Sequence, residues 1–339
     1  MRLIVDAYGG DNAPLAVLEG CAQSVKEYDI DITLTGDEKD IKKVASENNI
    51  SLERMEIVNA PDKMAMDADP ITVRKPDNNT SMAVGMRLLA EGKGDAFLSA
   101  GNSGAMVIGA TFIVKRMKGI KRVAFAPILP TVNGCSMLID SGANNECTPE
   151  MLRQFAIMGS AYMEGVMNVQ NPRVGLVNVG TEPHKGKDLQ REAYEILKET
   201  PINFIGNVEG RDVPAGSCDV LVADGFSGNL VLKTYEGVAI ELMKKIKSVF
   251  SKKLKNKLAG AMVLSDMKSM KKEFDYNTYG GAPVMGCSKP VFKVHGSAKA
   301  TTFKNAIGLT VNFVNGNVID KISETVEKIG AKQSESADN

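Results

Sequence analysis

Six times along this chain a short apolar run breaks into glycine and small polar residues, and a helix-compatible stretch follows. The six turns are Asp6-Ala7-Tyr8-Gly9-Gly10-Asp11, Ser99-Ala100-Gly101-Asn102-Ser103-Gly104, Asp140-Ser141-Gly142-Ala143-Asn144, Asn178-Val179-Gly180-Thr181, Asp224-Gly225-Phe226-Ser227-Gly228-Asn229 and His295-Gly296-Ser297. Strand, glycine turn and helix in repetition is the pattern of an α/β protein built on a mostly parallel sheet. In such sheets ligands bind outside the carboxyl ends of the strands. Glycine lets the backbone turn sharply there, and the next helix offers unpaired N–H groups to an anion. Several such turns predict a site lined by backbone N–H groups, hydroxyls and amides, suited to an anion such as phosphate.

Ten apolar runs read as strands: Leu3–Asp6, Ile32–Thr35, Met55–Val58, Ala96–Ser99, Val123–Ile128, Ser136–Ile139, Val174–Val177, Ile202–Ile205, Val220–Ala223 and Val291–Val294. The clearest helix start is Thr148-Pro149-Glu150, where threonine caps, proline suits the first helical position and glutamate complements the positive helix end. Beyond it Leu152, Phe155, Ala156, Gly159, Met163 and Val166 form a helical stripe that reads as buried. No linker or repeat divides the chain, so residues 1–330 read as one α/β catalytic domain and 331–339 as a disordered C-terminal tail.

Between Lys244 and Glu273 ten lysines face only Asp266 and Glu273, a local net charge of +8 in a chain whose formal net charge is zero. Ile246, Val249, Phe250, Leu254 and Leu258 mark one helical face there, and Leu258-Ala259-Gly260-Ala261-Met262-Val263-Leu264 is apolar all round. This reads as a protruding basic helical hairpin, about 244–273, with a greasy tip and a turn at Gly260 or at Ser265-Asp266. Solvated lysines, contact with anionic lipid headgroups and docking of an acidic protein are the three uses of such a surface.

Several function classes lose their support. Zero net charge argues for no nucleic-acid partner, and no apolar stretch approaches the roughly 20 residues that span a bilayer. No basic region with a following apolar core opens the chain, so no signal peptide is expected. The five cysteines are scattered without a CxxC pair, which fits reduced cytoplasmic thiols and no metal site. There is no GxGxxG fingerprint, no GxxxxGK[ST] loop and no GxSxG elbow, so no nicotinamide or ATP cofactor and no covalent acyl-enzyme are expected. Asp224–Asn229 with Lys233 one turn on, Ser99–Gly104, the basic loop Asn178–Lys187 and His295 are the positions where chemistry concentrates. Each has a plainer reading as a cap, a tight turn, a solvated loop or a structural histidine.

Taken in order, these motifs resemble the PlsX family of phosphate acyltransferases over essentially the whole chain. The likeness runs through Val5–Pro14, Ser99–Gly104, Asp140–Asn144, Asn178–Lys187, Ala223–Lys233, Tyr279-Gly280-Gly281-Ala282-Pro283 and Lys293-Val294-His295-Gly296-Ser297. Asn12 stands where the family usually has histidine, Tyr8 replaces a usual methionine, and the Thr181–His184 loop differs from a more acidic form.

The resemblance implies a three-layer α/β/α fold akin to phosphotransacetylases and isocitrate-dehydrogenase-like enzymes, assembled as a homodimer. It implies transfer of a long-chain fatty acyl group from acyl carrier protein to inorganic phosphate. The acyl phosphate product then serves the glycerol-3-phosphate acyltransferase downstream. The protein is accordingly expected in the cytoplasm, peripherally bound to anionic membrane through Leu258, Met262, Val263 and Leu264.

Lys185, Asn229 and His295 are the implied catalytic residues. Asp6, Gly9, Gly10, Ser99, Gly101, Asn102, Ser103, Asn144, Lys187, Asp224, Gly225, Gly228, Lys233 and Ser297 are the implied phosphate and substrate contacts. Phosphate would attack the thioester directly, with asparagine, Ser103 or N–H donors on the oxyanion, and His295 orienting phosphate or protonating the leaving thiolate. The alternatives are a phosphotransacetylase using short acyl-CoA, a nicotinamide-dependent hydroxyacid dehydrogenase on the related fold, and a silent scaffold of lipid-synthesis enzymes.

Overall fold

The structure, a computed structural model, describes residues 1–273 and 279–337. Apolar runs and glycine turns alternate as the sequence implies: β1 (Arg2–Asp6), α1 (Leu15–Glu27), β2 (Asp31–Gly36), α2 (Glu38–Glu47) and β3 (Met55–Asn59). A long loop leads to α3 (Ser81–Ala90), β4 (Ala96–Ser99) and α4 (Ser103–Gly109), and then to β5 (Ala124–Phe125), β6 (Ile128–Thr131) and β7 (Gly134–Ile139). The second half holds α5 (Pro149–Gly165), β8 (Arg173–Asn178), α6 (Asp188–Lys198), β9 (Asn203–Glu209) and β10 (Val220–Val222). It ends with α7 (Gly225–Ser251), α8 (Leu254–Met262), α9 (Leu264–Glu273), β11 (Gly281–Met285), β12 (Val291–Val294), α10 (Ala300–Asn315) and α11 (Val318–Ala337).

Seven strands pair in the order β3-β2-β1-β4-β12-β11-β5 and five in the order β6-β7-β10-β8-β9. Pairing is parallel except around β11, which is antiparallel to β12 and β5, and between β6 and β7. The stretch 124–131 joins the two sheets. Ala126 N donates to Pro283 O (3.1 Å) on one side, and Pro127 O accepts from Leu138 N (2.9 Å) on the other. The sequence reading places one strand at Val123–Ile128. Pro127, which has no N–H to give a ladder, divides it into β5 and β6 instead.

Alternate residues of a strand face opposite sides, and the packing follows that rule. Leu3 and Val5 of β1 lie in the largest core cluster and Ile4 in the second. Helices α1, α10 and α5 supply the first cluster, with Phe292, Phe313 and Tyr162 in ring contact, and α3 and α4 supply the second. Leu138 of β7 and Leu221 of β10 point into a third, smaller cluster closed by Val231, Leu232 and Tyr235 of α7. Helices therefore cover both faces in three layers, the α/β/α class expected.

Thr148 caps α5 as the sequence indicates, its side chain accepting from Met151 N (3.3 Å), and Pro149 fills the first helical position. The basic segment is helical, but its breaks differ from the expected ones. They fall at Lys252–Lys253 and at Val263, and Gly260 lies inside α8. An added Cβ at Gly260 would stand 3.1 Å from Phe250 Cβ, so this glycine lets α8 pack closely on α7 rather than turning the chain. Helix α11 runs on to Ala337 through most of the stretch read as a tail, whose last two residues lie outside the described residues.

Candidate active site

The ends of β1, β4 and β12, neighbours in the sheet, interlock through backbone approach that only glycine permits. A Cβ on Gly9 would lie 2.7 Å from Ala100 N, and one on Gly10, at φ +97°, would lie 2.8 Å from Gly296 O. Asp11 N donates to Gly296 O (2.8 Å), tying the first turn to the last. Beneath them Asp6 is buried, accepting from Ser99 Oγ (2.6 Å) and Tyr8 N (3.0 Å). Burial pushes its carboxyl above the usual carboxylate range, partly offset by bonds from Ser81, Ser99 and Tyr8 and by the charge of Lys293. Ser99 Oγ also accepts from Gly101 N (3.0 Å). Asp6, Ser99, Gly9, Gly10 and Gly101 thus lock the strand ends together, and none of them is among the residues that line the cleft.

Asn102 is the cap of α4. Its Oδ1 accepts from Ala105 N (3.0 Å) and its Nδ2 donates to Met66 O (2.8 Å). Both ends of the amide have partners in the fold, and Ser103, the next residue, lines the site.

The opposite wall is the contact between the turn after β7 and the start of α7. Asp140 accepts from Phe125 N, Ala143 N, Asn144 N and Asn144 Nδ2, and burial raises its carboxyl despite those bonds. Asn144 O in turn accepts from Gly225 N (2.7 Å). A Cβ on Gly225 would stand 2.6 Å from Asn144 O, and one on Gly228 only 1.8 Å from Asp140 O. Asp224 caps the helix through Ser227 N (2.8 Å) and Ser227 Oγ (2.9 Å). Asn144, Asp224, Gly225 and Gly228 therefore seat the helix, and that seating delivers Asn229 to the space between the walls.

That space is the head of a cleft of about 1340 Å³. Asp11, Ser103, Asn229, Lys233, His295 and Ser297 line its polar end, and Lys233 also pairs with Glu236 at 2.8 Å. His295 Nδ1 accepts from Ser297 N (3.2 Å) and bonds Ser297 Oγ (2.8 Å), which leaves the ring proton on Nε2. Burial holds the imidazole below its ordinary value, with Glu236 pulling up and Lys293 and Lys233 pulling down. His295 is therefore a neutral Nε2–H donor at neutral pH. From this head the cleft runs along α7 into the hairpin, over Leu232, Met243, Phe250, Leu264 and Met267, with lysines such as Lys247 and Lys257 among its lining.

The structure does not bring every expected residue to this cleft. Lys185 and Lys187 lie on the loop between β8 and α6, outside the lining. Lys185 Nζ stands 3.9 Å from Glu182, and Lys187 O accepts from Arg191 N in the first turn of α6. Leu258, Met262 and Val263 are exposed on the outer surface of the hairpin, and Leu264 is both exposed and part of the lining. Among the charged cleft residues, Asp11, Glu236 and Lys293 are not among the contacts the sequence implies, and Lys293 is the only charged side chain in the buried strand β12. A lysine inside Val291-Phe292-Lys293-Val294, just before a glycine turn, was the available signal.

The fold of this chain is shared with solved phosphotransacetylase structures. The structure superposes on a phosphotransacetylase from Streptococcus pyogenes with a TM-score of 0.63, covering 92% of this chain and 94% of that one at 18% identity. For the EutD phosphotransacetylase from Staphylococcus aureus the TM-score is 0.59 over the same shares at 17% identity. Likeness at such identities speaks for the fold alone.

Sequence relatives are nearer. The phosphate acyltransferase of Acetivibrio thermocellus is 44% identical over 325 residues, 96% of each chain, and that of Alkaliphilus oremlandii is 42% identical over 330, covering 97% of this chain and 98% of the relative. Residues 1–321 match the family described as fatty acid synthesis protein. The chain belongs to this family, the PlsX phosphate acyltransferases, as its motifs imply, and it is an acyltransferase.

Proposed function

We propose that this chain moves a long-chain fatty acyl group from acyl carrier protein to inorganic phosphate, releasing acyl phosphate and the free carrier thiol. The observation that carries the reading is the shape of the cleft. A polar head of donors and cations opens into an apolar body along α7 and the hairpin. From Asn229 to Phe250 that helix advances about 31 Å, a length suited to an extended fatty acyl chain and not needed for an acetyl group.

In the head, an oxygen of hydrogen phosphate attacks the thioester carbonyl carbon. The C–O bond forms, the C–S bond breaks with its electron pair on sulfur, and the proton of the phosphate ends on the thiol. Bringing two bound reactants together removes much of the entropic barrier. Ser103 and Asn229, which line the head, are the donors this reading assigns to the tetrahedral oxyanion. His295, neutral with its proton on Nε2, fits the role of a donor that orients phosphate better than that of an acid for the thiolate. Lys185 and Lys187 enter the proposal through the family resemblance, not through the cleft.

The finer expectations stand on separate observations. Leu254, Leu258 and Met262 are exposed within the segment 244–273, which carries a net +8, and this supports peripheral contact with anionic membrane. Among the described residues no helix is long and apolar enough to cross a membrane. Exposed Val132, Val179, Phe226 and Leu230 support burial against a second copy in a homodimer. A cytoplasmic enzyme feeding acyl phosphate to glycerol-3-phosphate acyltransferase completes the reading.

The test compares initial rates on palmitoyl thioesters of acyl carrier protein and of coenzyme A, each with and without orthophosphate. Faster, phosphate-dependent turnover of the carrier thioester is the expected result. Preference for the coenzyme A thioester would move the donor to the phosphotransacetylase branch. Alanine at Lys185, Asn229 and His295 tests the role assignments, which fail if turnover stays within a few-fold of wild type.

A further inference from the structure

We propose that Lys293 is the cation that binds the attacking phosphate. The inference rests on the acyl-transfer reading above and adds to it the residue that neutralises the second substrate.

Strand β12 places Lys293 opposite Ser99 of β4 on one side and Ala282 of β11 on the other, between buried Phe292 and Val294. Its side chain runs to the strand ends, where Nζ donates to Ala100 O (3.0 Å) and Val294 O (2.7 Å). Two carbonyls thus fix the ammonium in place. An ammonium has three donors, and Lys293 is part of the cleft lining together with Ser103, His295 and Ser297. The third N–H is left for whatever occupies the head.

The electrostatics point the same way. A buried charge is costly without a counter-ion, yet among the described residues no carboxylate forms an ion pair with Lys293. Asp6 and Asp11 act on it only at longer range, and burial brings the amine down to about 8. Lys233 at the same head already has Glu236 as partner. Lys293 is therefore an anchored, desolvated cation with no contacting anion among the described residues, at the spot where the reaction needs one. A phosphate dianion bound there restores its counter-ion, and the two anchoring carbonyls hold the ammonium within reach of the nucleophile.

Two variants separate charge from architecture. Lys293→Met removes the charge and both anchoring bonds, whereas Lys293→Gln removes the charge but keeps two N–H donors for the same carbonyls. Orthophosphate binding to the purified protein is read first, as the rise in melting temperature with added phosphate against chloride of equal ionic strength. Losing one charge-assisted hydrogen bond in a buried site should weaken phosphate binding about 10-fold or more in both variants. In turnover, the KM for phosphate should rise correspondingly while the KM for the acyl donor stays within about 2-fold.

Phosphate binding within 2-fold of wild type in Lys293→Gln overturns the assignment. So does a wild type that gains nothing from phosphate, or a rise of both KM values together, which marks a structural role. Lys293-dependent phosphate binding without any acyl transfer would instead sink the proposed reaction and leave the phosphate site standing.

Discussion

Gly228→Ala isolates the contact on which the site geometry depends. The added methyl would sit 1.8 Å from Asp140 O and 3.0 Å from Asp140 C, both backbone atoms, so no rotamer change relieves the overlap. Reaching even a tight contact requires α7 and the turn after β7 to part by about 1 Å or more. That motion pulls against the Gly225 N to Asn144 O bond and the Asp224 cap on Ser227. Overpacking between rigid elements costs about 3 kcal/mol at the upper end of its usual range. With an unfolding entropy of about 2 cal/mol/K per residue, this lowers the melting temperature of a chain this long by roughly 4 °C. The larger effect is on turnover. Asn229 follows directly, and misplacing a positioning group by about 1 Å costs on the order of 100-fold in rate. Gly237→Ala, on the same helix with nothing within 4 Å of the new methyl, is the control. It should gain about 0.5–1 kcal/mol and leave activity intact. Differential scanning fluorimetry with a free-thiol assay reads both variants. If Gly228→Ala melts with wild type and turns over within a few-fold of it, the seating of α7 does not govern the site.

Three further outcomes follow from the same geometry. Burial lowers the Lys293 amine from 10.5 to about 8, so above pH 8 the folded protein has shed a proton that the unfolded chain keeps until about 10.5. Stability relative to Lys293→Met should therefore rise by up to about 3 kcal/mol between pH 7 and 10.5. A flat difference in denaturant midpoints across that range contradicts the buried ammonium. Leu258→Glu with Val263→Glu should release the protein from vesicles containing anionic lipid, and retention in a flotation assay would show that the hairpin is not the anchor. Asn102→Ala removes the cap on Ala105 and the tether to Met66, so it should cost about 1 kcal/mol of stability. Its turnover should fall less than that of Asn229→Ala; the reverse order would make Asn102 a substrate contact.

Much of the scaffold was legible because strand and turn each leave a local signature. Nine of the ten apolar runs overlap single strands, and five of the six glycine turns contribute residues to the cleft, the Asn178–Thr181 turn being the exception. Strand β11 was not legible, since Tyr279-Gly280-Gly281-Ala282-Pro283 has the composition of a turn and becomes a strand only between β12 and β5. The division at Pro127 depends on two partners on opposite sides, which is tertiary information. The sequence implies Gly225 and Gly228 as phosphate and substrate contacts. Their observed role is to let α7 press on the turn after β7, something local sequence cannot distinguish. The sequence implies Asn102 as a phosphate or substrate contact, whereas its two hydrogen bonds, to Ala105 N and Met66 O, make it the cap of α4. Lys293 was hidden by the opposite effect, as its apolar neighbours masked the one side chain that reaches the strand end.

The most direct test of the central claim mixes the purified protein with palmitoyl–acyl carrier protein and orthophosphate. The account predicts release of the carrier thiol only when phosphate is present, with an equal amount of acyl phosphate trapped as hydroxamate by hydroxylamine. Thiol release that is independent of phosphate and yields free fatty acid would contradict it.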